Sequence, residues 1–219
     1  MQNFLCIYVR FYYLCSMNTP NTDNVKMSEN IIIADADYVD SVAFNLIVNF
    51  ERMIGRAIPK ADLSQWAVCV ALDGGVREGK NDTQIVLVHE KKNTSLDNFK
   101  PSDYEKDLNS KAFNDDKLGE FTFTSVEVGD VVNKDEYIEN VLKTVLQHEE
   151  VKRVMIIPDS EKSDICSQIR SLLRNVEDDN KRITMFAMQP IEGGNFRQEI
   201  LGYSLMNALG IRANEINGK

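Results

Sequence analysis

Four short runs of mostly apolar residues constrain the fold of this chain more than any other feature. They cover residues 31–34, 67–72, 154–157 and 183–188. Runs of this length that do not alternate with polar residues are typical of strands covered on both faces, as in a parallel sheet. The sequence therefore predicts buried strands at these positions.

Apolar side chains recur at helical spacing between and after these runs. They predict helices over residues 38–54 and 137–146, a third from Ile165 to Leu173, and a fourth over residues 196–209 that Gly210 ends. Alternating strands and helices are typical of an α/β domain. We therefore predict a three-layer α/β fold with a mainly parallel, Rossmann-like sheet.

The middle of the chain departs from this pattern. The segments TQIVLVHE (residues 83–90) and EFTFTSVEV (residues 120–128) are rich in β-forming residues, and we expect antiparallel or edge strands that extend the sheet. A turn-rich connection between residues 67–72 and 83–89 predicts a long hairpin. Residues 91–119 form a polar insertion, and such insertions are usually functional covers or loosely packed loops.

The first 26 residues differ in composition from the rest of the chain. Arg10 interrupts their apolar run, which is too short to span a bilayer, and Leu14 precedes Cys15 where a lipoprotein signal has a small residue. We interpret residues 1–26 as a non-core extension that arises from a start codon assigned too early, with a signal or anchor as the alternative. Residues 27–219 then form a single domain.

The charge balance bears on the partners of the protein. The formal net charge is −9 and Lys and Arg form no basic stripe, which argues against broad contact with nucleic acid or an anionic membrane. Beyond the extension, Cys69 and Cys166 lie in apolar runs and form neither a disulfide framework nor a zinc site. We expect a cytoplasmic protein whose partners are unknown, and a homodimer is left open.

The stretch NIIIADADYVDS, residues 30–41, places aspartates directly after the first predicted strand. Asp37 and Asp40 suit the N-cap and the third residue of the following helix, because free N–H groups and the helix dipole attract carboxylates. Asp35 ends a strand that is buried on both faces, where a charge needs a partner or an ion. Asp35 is therefore the first candidate for a functional residue.

Polar residues also follow the other predicted strands, namely Asp73, Asp159 and Gln189. Ligands of an open parallel sheet bind outside the carboxyl ends of its strands. We expect Asp35 and Asp159 to converge there as catalytic residues and, with Asp73, to bind Mg²⁺ or Mn²⁺, which prefer oxygen ligands. The alternative is a purely structural role for these carboxylates as caps.

The segment IEGGNFRQE, residues 191–199, follows the last predicted strand. Asn195 and Gln198 have the spacing of a helix capping box, and a glycine-containing loop that opens a helix can also bind an anion. We expect Gln189, Asn195 and the neighbouring Arg197 to contact substrate.

From Met27 onward the chain resembles a family of uncharacterised proteins from Bacteroidales bacteria. The stretches that carry the resemblance are DADYVDS, NFERMIGR, LDGG, FAMQP and GGNFRQEILGYSLM. That family has no known function, so the resemblance implies no activity.

The order of elements also resembles that of the PIN/NYN group of metal-dependent ribonucleases. In that group an Asp ends the first strand and a later strand ends in an acidic turn. Asp35 matches the first position, and Asp159 with Asp164 loosely matches the second. This resemblance implies a PIN/NYN-like strand order and ribonuclease activity.

A competing resemblance is to haloacid dehalogenase-like phosphatases, whose opening motif is a strand followed by D-x-D-x-[TV]. Asp35, Asp37 and Val39 match this motif, and Asp159 with Asp164 resembles the last motif of that family. The resemblance implies that Asp35 is a nucleophile and Asp37 a general acid/base.

Together these features predict a hydrolase of phosphoesters, RNA included, with a divalent metal held by Asp35 and Asp159. The alternative from another class is a non-catalytic α/β domain that binds a small ligand or a protein partner. A haloacid dehalogenase-like phosphatase is a further alternative.

Overall fold

The computed structural model describes residues 27–129, 133–161, 164–174, 176 and 181–216, so the predicted extension over residues 1–26 lies outside the described residues. The strands are β1 (Asn30–Asp35), β2 (Ala61–Asp62), β3 (Asn81–Glu90), β4 (Phe99–Lys100), β5 (Ala112–Asp115), β6 (Gly119–Val128), β7 (Arg153–Ile157), β8 (Arg182–Ala187) and β9 (Arg197–Ile200). The helices are α1 (Ala36–Ile54), α2 (Leu63–Asp73), α3 (Lys134–Gln147), α4 (Ile165–Leu173), α5 (Leu201–Ala208) and α6 (Ala213–Ile216), and one π-helical turn covers Tyr104–Leu108.

The main sheet has the strand order β5-β6-β3-β1-β7-β8-β9. All neighbouring strands pair in parallel except β5, which is antiparallel to β6. Helices α1, α2 and α5 pack in the apolar core on one face, and α3 and α4 pack in the core on the other. The predicted three-layer α/β fold with a mainly parallel sheet is confirmed. In the described part of the chain, the helices are all too short or too polar to cross a membrane.

Strand β1 lies at the centre of the main sheet, and all of its residues are buried. Its apolar side chains alternate between the two cores, since Ile32 belongs to one and Ile33 to the other. Helix α1 begins directly after it because Asp35 is the N-cap and accepts a hydrogen bond from the N–H of Tyr38 at 3.0 Å. The expected cap, Asp37, is instead the second residue of the helix.

The prediction of a strand over residues 67–72 is wrong, because these residues belong to helix α2. Asp62 caps this helix by accepting a hydrogen bond from the N–H of Gln65 at 3.0 Å. Most of α2 is buried, including the whole side chain of Trp66. A short apolar run does not distinguish a buried helix from a buried strand, and the expected hairpin with residues 83–89 therefore does not form.

Strand β3 is an interior strand with parallel neighbours on both sides, so the expectation of an antiparallel or edge strand is wrong for β3. Strand β6 is also interior, parallel to β3 but antiparallel to β5, so only the antiparallel part of the expectation is met there. Strand β3 pairs with β1 and β6, and only β5 supplies the antiparallel extension. Part of the alternation in β6 comes from Thr124, whose buried hydroxyl accepts a hydrogen bond from the side-chain amide of Gln84 at 3.3 Å. In the sequence alone, a buried polar residue whose hydrogen bond is made inside the protein cannot be distinguished from a residue that faces solvent.

The helix predicted over residues 196–209 is replaced by a strand followed by a shorter helix. Arg197–Ile200 forms β9, which pairs in parallel with β8, and α5 begins at Leu201. The side chain of Gln198 exchanges hydrogen bonds with the backbone of Ile191, at 3.1 and 2.9 Å. The predicted capping box with Asn195 therefore does not form.

The polar insertion, residues 91–119, packs firmly against the domain. Its strand β4 pairs with β2, and its π-helical turn is capped by Asp103, which accepts hydrogen bonds from two backbone N–H groups. Five of its apolar side chains are buried, namely Leu96, Phe99, Tyr104, Leu108 and Leu118.

Candidate functional site

A cleft opens at the carboxyl end of β1, at the point where the topology of the sheet reverses. From β1 the chain passes to α1 on one face of the sheet, and from the neighbouring strand β7 it passes to α4 on the other. Ligands of open α/β sheets bind at such points, because the loops of two adjacent strands separate there. The cleft has a volume of about 630 Å³.

Asp35 lies at the base of this cleft, and its side chain is 0% exposed. Its Oδ1 accepts hydrogen bonds from the N–H of Tyr38 at 3.0 Å and from the ammonium group of Lys134 at 2.7 Å. Its Oδ2 is buried and has no hydrogen-bond partner among the described residues. A buried carboxylate with one unpaired oxygen is uncommon and marks a candidate functional group.

Lys134 is the cation that compensates the charge of Asp35. Its Nζ lies 2.7 Å from Asp35 Oδ1 and 2.8 Å from Asp37 Oδ2, and its side chain is 16% exposed. An ammonium group has three donors, so one donor remains beyond the two ion pairs. Lys134 is the first residue of α3, where the helix dipole disfavours a cation. The two carboxylates therefore hold it there.

Asp37 and Asp40 attach the insertion to helix α1. Asp37 accepts a hydrogen bond from the ammonium group of Lys134. It also accepts hydrogen bonds from the backbone N–H of Glu90 at 2.9 Å and from the side-chain amide of Asn93 at 2.6 Å. Asp40 accepts from the backbone N–H and the side-chain amide of Asn98 at 2.8 and 2.9 Å. Both aspartates thus join α1 to a distant segment instead of capping the helix.

The three charged groups of this cluster differ in their protonation equilibria. Burial raises the pKa of Asp35 to about 6, against the lowering effect of Lys134. Burial also opposes ionisation of Asp37, but hydrogen bonds from Lys134 and Asn93 lower the pKa of that carboxyl below its usual value. Burial disfavours the charged form of Lys134 as well, yet the two carboxylates raise its pKa. Neighbouring carboxyls with pKa values shifted in opposite directions are typical of acid–base sites.

Asp159 follows β7 and lines the same cleft. Its Oδ1 accepts a hydrogen bond from the N–H of Glu161 at 3.1 Å. The hydroxyl of Tyr38, which also lines the cleft, lies 3.1 Å from Ser160 Oγ and so connects α1 to the loop after β7. The structure thus brings Asp35 and Asp159 into one cleft, and their catalytic roles stay predictions.

The rim of the cleft comes from the ends of β3 and β6 and from the start of α3. Lys91 and Lys92 are exposed there, and Lys92 pairs with Glu90. Together with Asp135 and the residues described above, the part of the lining that belongs to the described residues contains five carboxylates and three lysines. Because carboxylates are in excess, an anionic ligand needs a further cation in this cleft.

The other predicted site residues do not line this cleft. Asp73 ends helix α2 instead of a strand, so the predicted set of three metal-binding carboxylates is not assembled. Gln189 follows β8, and Arg197 lies in the outer strand β9, where it donates to Glu199 at 3.0 Å. The amide of Asn195 donates to backbone carbonyls, one of them that of Val176 at 3.0 Å. Strands β8 and β9 are separated from β1 by β7, which explains the distance of these residues from the cleft.

The described residues contain no group of three or more His, Cys, Asp and Glu side chains placed to hold a metal ion. The position between Asp35 and Asp37, which a cation would favour, is taken by the ammonium group of Lys134.

Lys134 and Asn93 belong to no sequence motif, and both escape prediction. A weak signal exists for Lys134, because it precedes Asp135 and Glu136 in the first turn of α3, where acidic residues are favoured and a lysine is not. Asn93 lies in a turn-forming segment after β3, where asparagine is common for local reasons.

Comparisons with known proteins assign no chemistry to this cleft. A family model described as a family of unknown function, DUF6621, matches residues 24–216. Neither the curated proteins nor the solved structures contain a match to the chain.

Proposed function

Because the chain belongs to DUF6621, a family of unknown function, its chemistry has to be inferred from the cleft, and we propose that it hydrolyses phosphoesters. The observation that carries this proposal is the ammonium group of Lys134, which Asp35 and Asp37 hold at the reversal point of the sheet. A fixed cation at the place where ligands of α/β sheets bind suits a phosphate group.

Lys134 supplies the charge that contacts the phosphate. Its two ion pairs keep the ammonium group protonated and oriented, so little reorganisation is needed when negative charge develops on the phosphoryl oxygens. Asp35 is fully covered and acts on the substrate through Lys134. In this proposal the predicted catalytic residue Asp35 is therefore a positioning residue.

A divalent metal fits this cleft together with the substrate. The excess of carboxylates in the lining opposes an anionic phosphate, and Mg²⁺ or Mn²⁺ would offset that excess. Mg²⁺ is commonly held by one or two carboxylates, with water and phosphate oxygens as the other ligands. Asp159 is the lining carboxylate that would hold it, and the metal would polarise the phosphoryl group.

Hydrolysis requires a proton acceptor for the attacking water. The water oxygen adds to phosphorus while the bond to the alcohol oxygen breaks, and the alcohol oxygen takes up a proton from the solvent. Asp135 is only partly buried and lines the cleft, so we assign to it the acceptance of the proton of water. Carboxylates serve in this way when they lie within hydrogen-bond reach of the water.

Small phosphate esters suit this cleft better than RNA does. The net charge of −9 and the acidic lining offer little attraction to a polyanion, whose binding depends on clustered cations. Ribonuclease activity, which the PIN/NYN resemblance implies, is the second substrate class to be tested.

A non-catalytic role in binding a small anion is the competing proposal. The observation in its favour is that Asp37 already accepts hydrogen bonds from three donors. A carboxylate satisfied in this way, with a lowered pKa, is a poor proton donor. It is therefore ill suited to the acid/base role that the dehalogenase resemblance implies for it.

Turnover of generic substrates tests the proposal. The substrates are p-nitrophenyl phosphate, bis(p-nitrophenyl) phosphate and a labelled single-stranded RNA, each with Mg²⁺, with Mn²⁺ or with EDTA. We expect hydrolysis of the monoester in the presence of metal and its loss with EDTA or in Lys134→Met. The matched control is Lys143→Met, because Lys143 forms only an exposed ion pair with Glu139 on the same helix.

No turnover of any substrate, together with measurable binding of inorganic phosphate, would favour the non-catalytic proposal. Full activity of Lys134→Met would overturn the role assigned to Lys134.

A further inference from the structure

A second cavity of about 490 Å³ adjoins the cleft. Asn93 lines both, so the cleft and the cavity meet at this side chain. The walls come from the ends of β3 and β6 and from the insertion, including the π-helical turn at Tyr104–Leu108. Single π-helical turns are rare and occur frequently at functional sites.

One wall of this cavity carries a stacked pair of rings. The rings of His89 and Tyr104 lie with centroids 3.8 Å apart and planes at 4°. His89 Nδ1 is 3.2 Å from the backbone carbonyl oxygen of Glu90. Because a carbonyl oxygen only accepts, this contact places the ring proton on Nδ1 and leaves Nε2 as an acceptor. Burial lowers the pKa of His89, which favours this neutral ring.

The described part of the cavity lining also contains one buried amide oxygen without a donor and several carboxylates. Asn109 Oδ1 is buried and has no hydrogen-bond partner in the described part of the chain. The lining includes the carboxylates of Asp103, Glu105 and Glu127, against a single lysine, Lys106, which pairs with Asp103 at 3.1 Å. Among the described residues, the cavity therefore has an excess of negative charge and one buried acceptor without a partner.

The backbone around Asn109 is held in an uncommon conformation. The N–H of Asn109 donates to the carbonyl of Tyr104 at 2.8 Å, and the next residue, Ser110, has a φ of 59°. A non-glycine residue in the left-handed region costs free energy, and such residues cluster at ligand sites. The unpaired oxygen of Asn109 therefore adjoins a residue in the left-handed backbone region.

We propose that this cavity binds the alcohol part of the phosphoester and selects alcohols that carry several hydroxyl or amino donors. The inference rests on the proposed function, because Lys134 places the phosphate and Asn93 lies where cleft and cavity meet. An apolar alcohol would leave the acceptors of the cavity unpaired, and an anionic alcohol would meet its carboxylates. Both are disfavoured, because buried polar groups without partners are costly.

Binding of three phosphate esters tests this inference. Glucose 6-phosphate carries hydroxyl donors, phosphoethanolamine carries an ammonium group, and phenyl phosphate carries neither. By titration calorimetry with Mg²⁺ we expect at least one of the first two to bind about tenfold or more tightly than phenyl phosphate, since hydrogen bonds to charged acceptors give differences of this order. The first two esters also distinguish recognition of hydroxyl groups from recognition of an amine.

Two variants assign the preference to the cavity. Glu127→Gln and Asn109→Leu should weaken binding of the preferred ester and leave phenyl phosphate unchanged. The matched control is Glu120→Gln, because Glu120 is an exposed residue of the same strand that does not line the cavity. A preference that survives both variants, or equal binding of all three esters, would overturn the inference.

The outcome for the cavity is separable from the outcome for hydrolysis. A preference that depends on Glu127, without turnover of any ester, upholds the cavity and contradicts the proposed hydrolysis. Turnover of phenyl phosphate without any preference for donor-bearing esters upholds the proposed hydrolysis and contradicts the role of the cavity.

Discussion

Lys134 and Asp35 form an ion pair of 2.7 Å although 99 residues separate them in the sequence. The pair joins the first residue of α3 to the last residue of the central strand β1. Because α3 and α1 lie on opposite faces of the sheet, it also fixes the two sides of the cleft relative to each other. The ion pair therefore contributes both to the stability of the domain and to the shape of the proposed phosphate site.

The stability contribution predicts a large effect of Lys134→Met. This change leaves the carboxylate of Asp35 buried without its cation, which costs about 3–5 kcal/mol for pairs of this kind. Urea unfolding at neutral pH should show this loss in the free energy of unfolding. The control variant Lys143→Met should lose about 0.5 kcal/mol or less, because exposed helix pairs contribute little. Equal midpoints for the two variants would contradict the assignment.

The pKa of Asp35 predicts how its contribution to stability changes with pH. The pKa is raised from 3.8 to about 6 in the folded protein. Between these values the folded state retains a proton that the unfolded state has released, so this contribution falls as pH rises. Asp35→Asn removes the titration, and its stability relative to the native chain should therefore increase between about pH 4 and about pH 6. Urea unfolding across this interval measures the difference, and a constant or decreasing difference would count against the buried state of Asp35.

The link between the insertion and α1 predicts an effect of Asn93→Ala on local dynamics. The change removes the 2.6 Å hydrogen bond to Asp37, and hydrogen bonds to charged acceptors contribute about 1.5–3 kcal/mol. Amide hydrogen exchange should accelerate in residues 90–98, while the strands of the main sheet keep their protection. The exposed side chain of Asn114 provides the control variant, Asn114→Ala. Unchanged exchange in residues 90–98 would show that the insertion is held by its apolar contacts alone.

The arrangement of carboxylates predicts that metal binding depends on phosphate. The described residues lack a group of three metal-binding side chains, so millimolar Mg²⁺ or Mn²⁺ alone should leave the melting temperature nearly unchanged. Metal and orthovanadate together should raise it, because a ligand that binds only the folded state stabilises it. Asp159→Asn should abolish this joint effect. A large shift with metal alone would indicate a preformed metal site instead.

Local patterns in the sequence predict β1, β7 and β8, the helices α1, α3 and α4, and the meeting of Asp35 and Asp159 at one edge of the sheet. These features depend on hydrophobic periodicity and on a general rule for parallel sheets. The elements that were predicted wrongly are those whose secondary structure depends on tertiary contacts. Helix α2 is buried too completely to show a polar face, and β9 exists because β8 offers it an open edge.

The ion pair of Lys134 could not be predicted, because it depends on which helix follows β6 and on which face that helix packs. The predicted N-cap of α1, Asp37, differs by two residues from the observed N-cap, Asp35, for a related reason. The sequence offers Asp35 and Asp37 as rival N-caps, and the choice follows from the length of β1 and from the distant donors that bind Asp37, including Asn93.

The role of the Asp35–Lys134 pair is tested most directly by comparing Asp35→Asn with Asp62→Asn in turnover of p-nitrophenyl phosphate. Both aspartates are N-caps that accept a helix N–H at 3.0 Å, but only Asp35 binds Lys134. We predict that Asp35→Asn lowers kcat/KM by about tenfold or more, because a preorganised cation loses its orientation, while Asp62→Asn retains activity. Equal activity in the two folded variants would contradict the claim that the Asp35–Lys134 pair forms the functional centre.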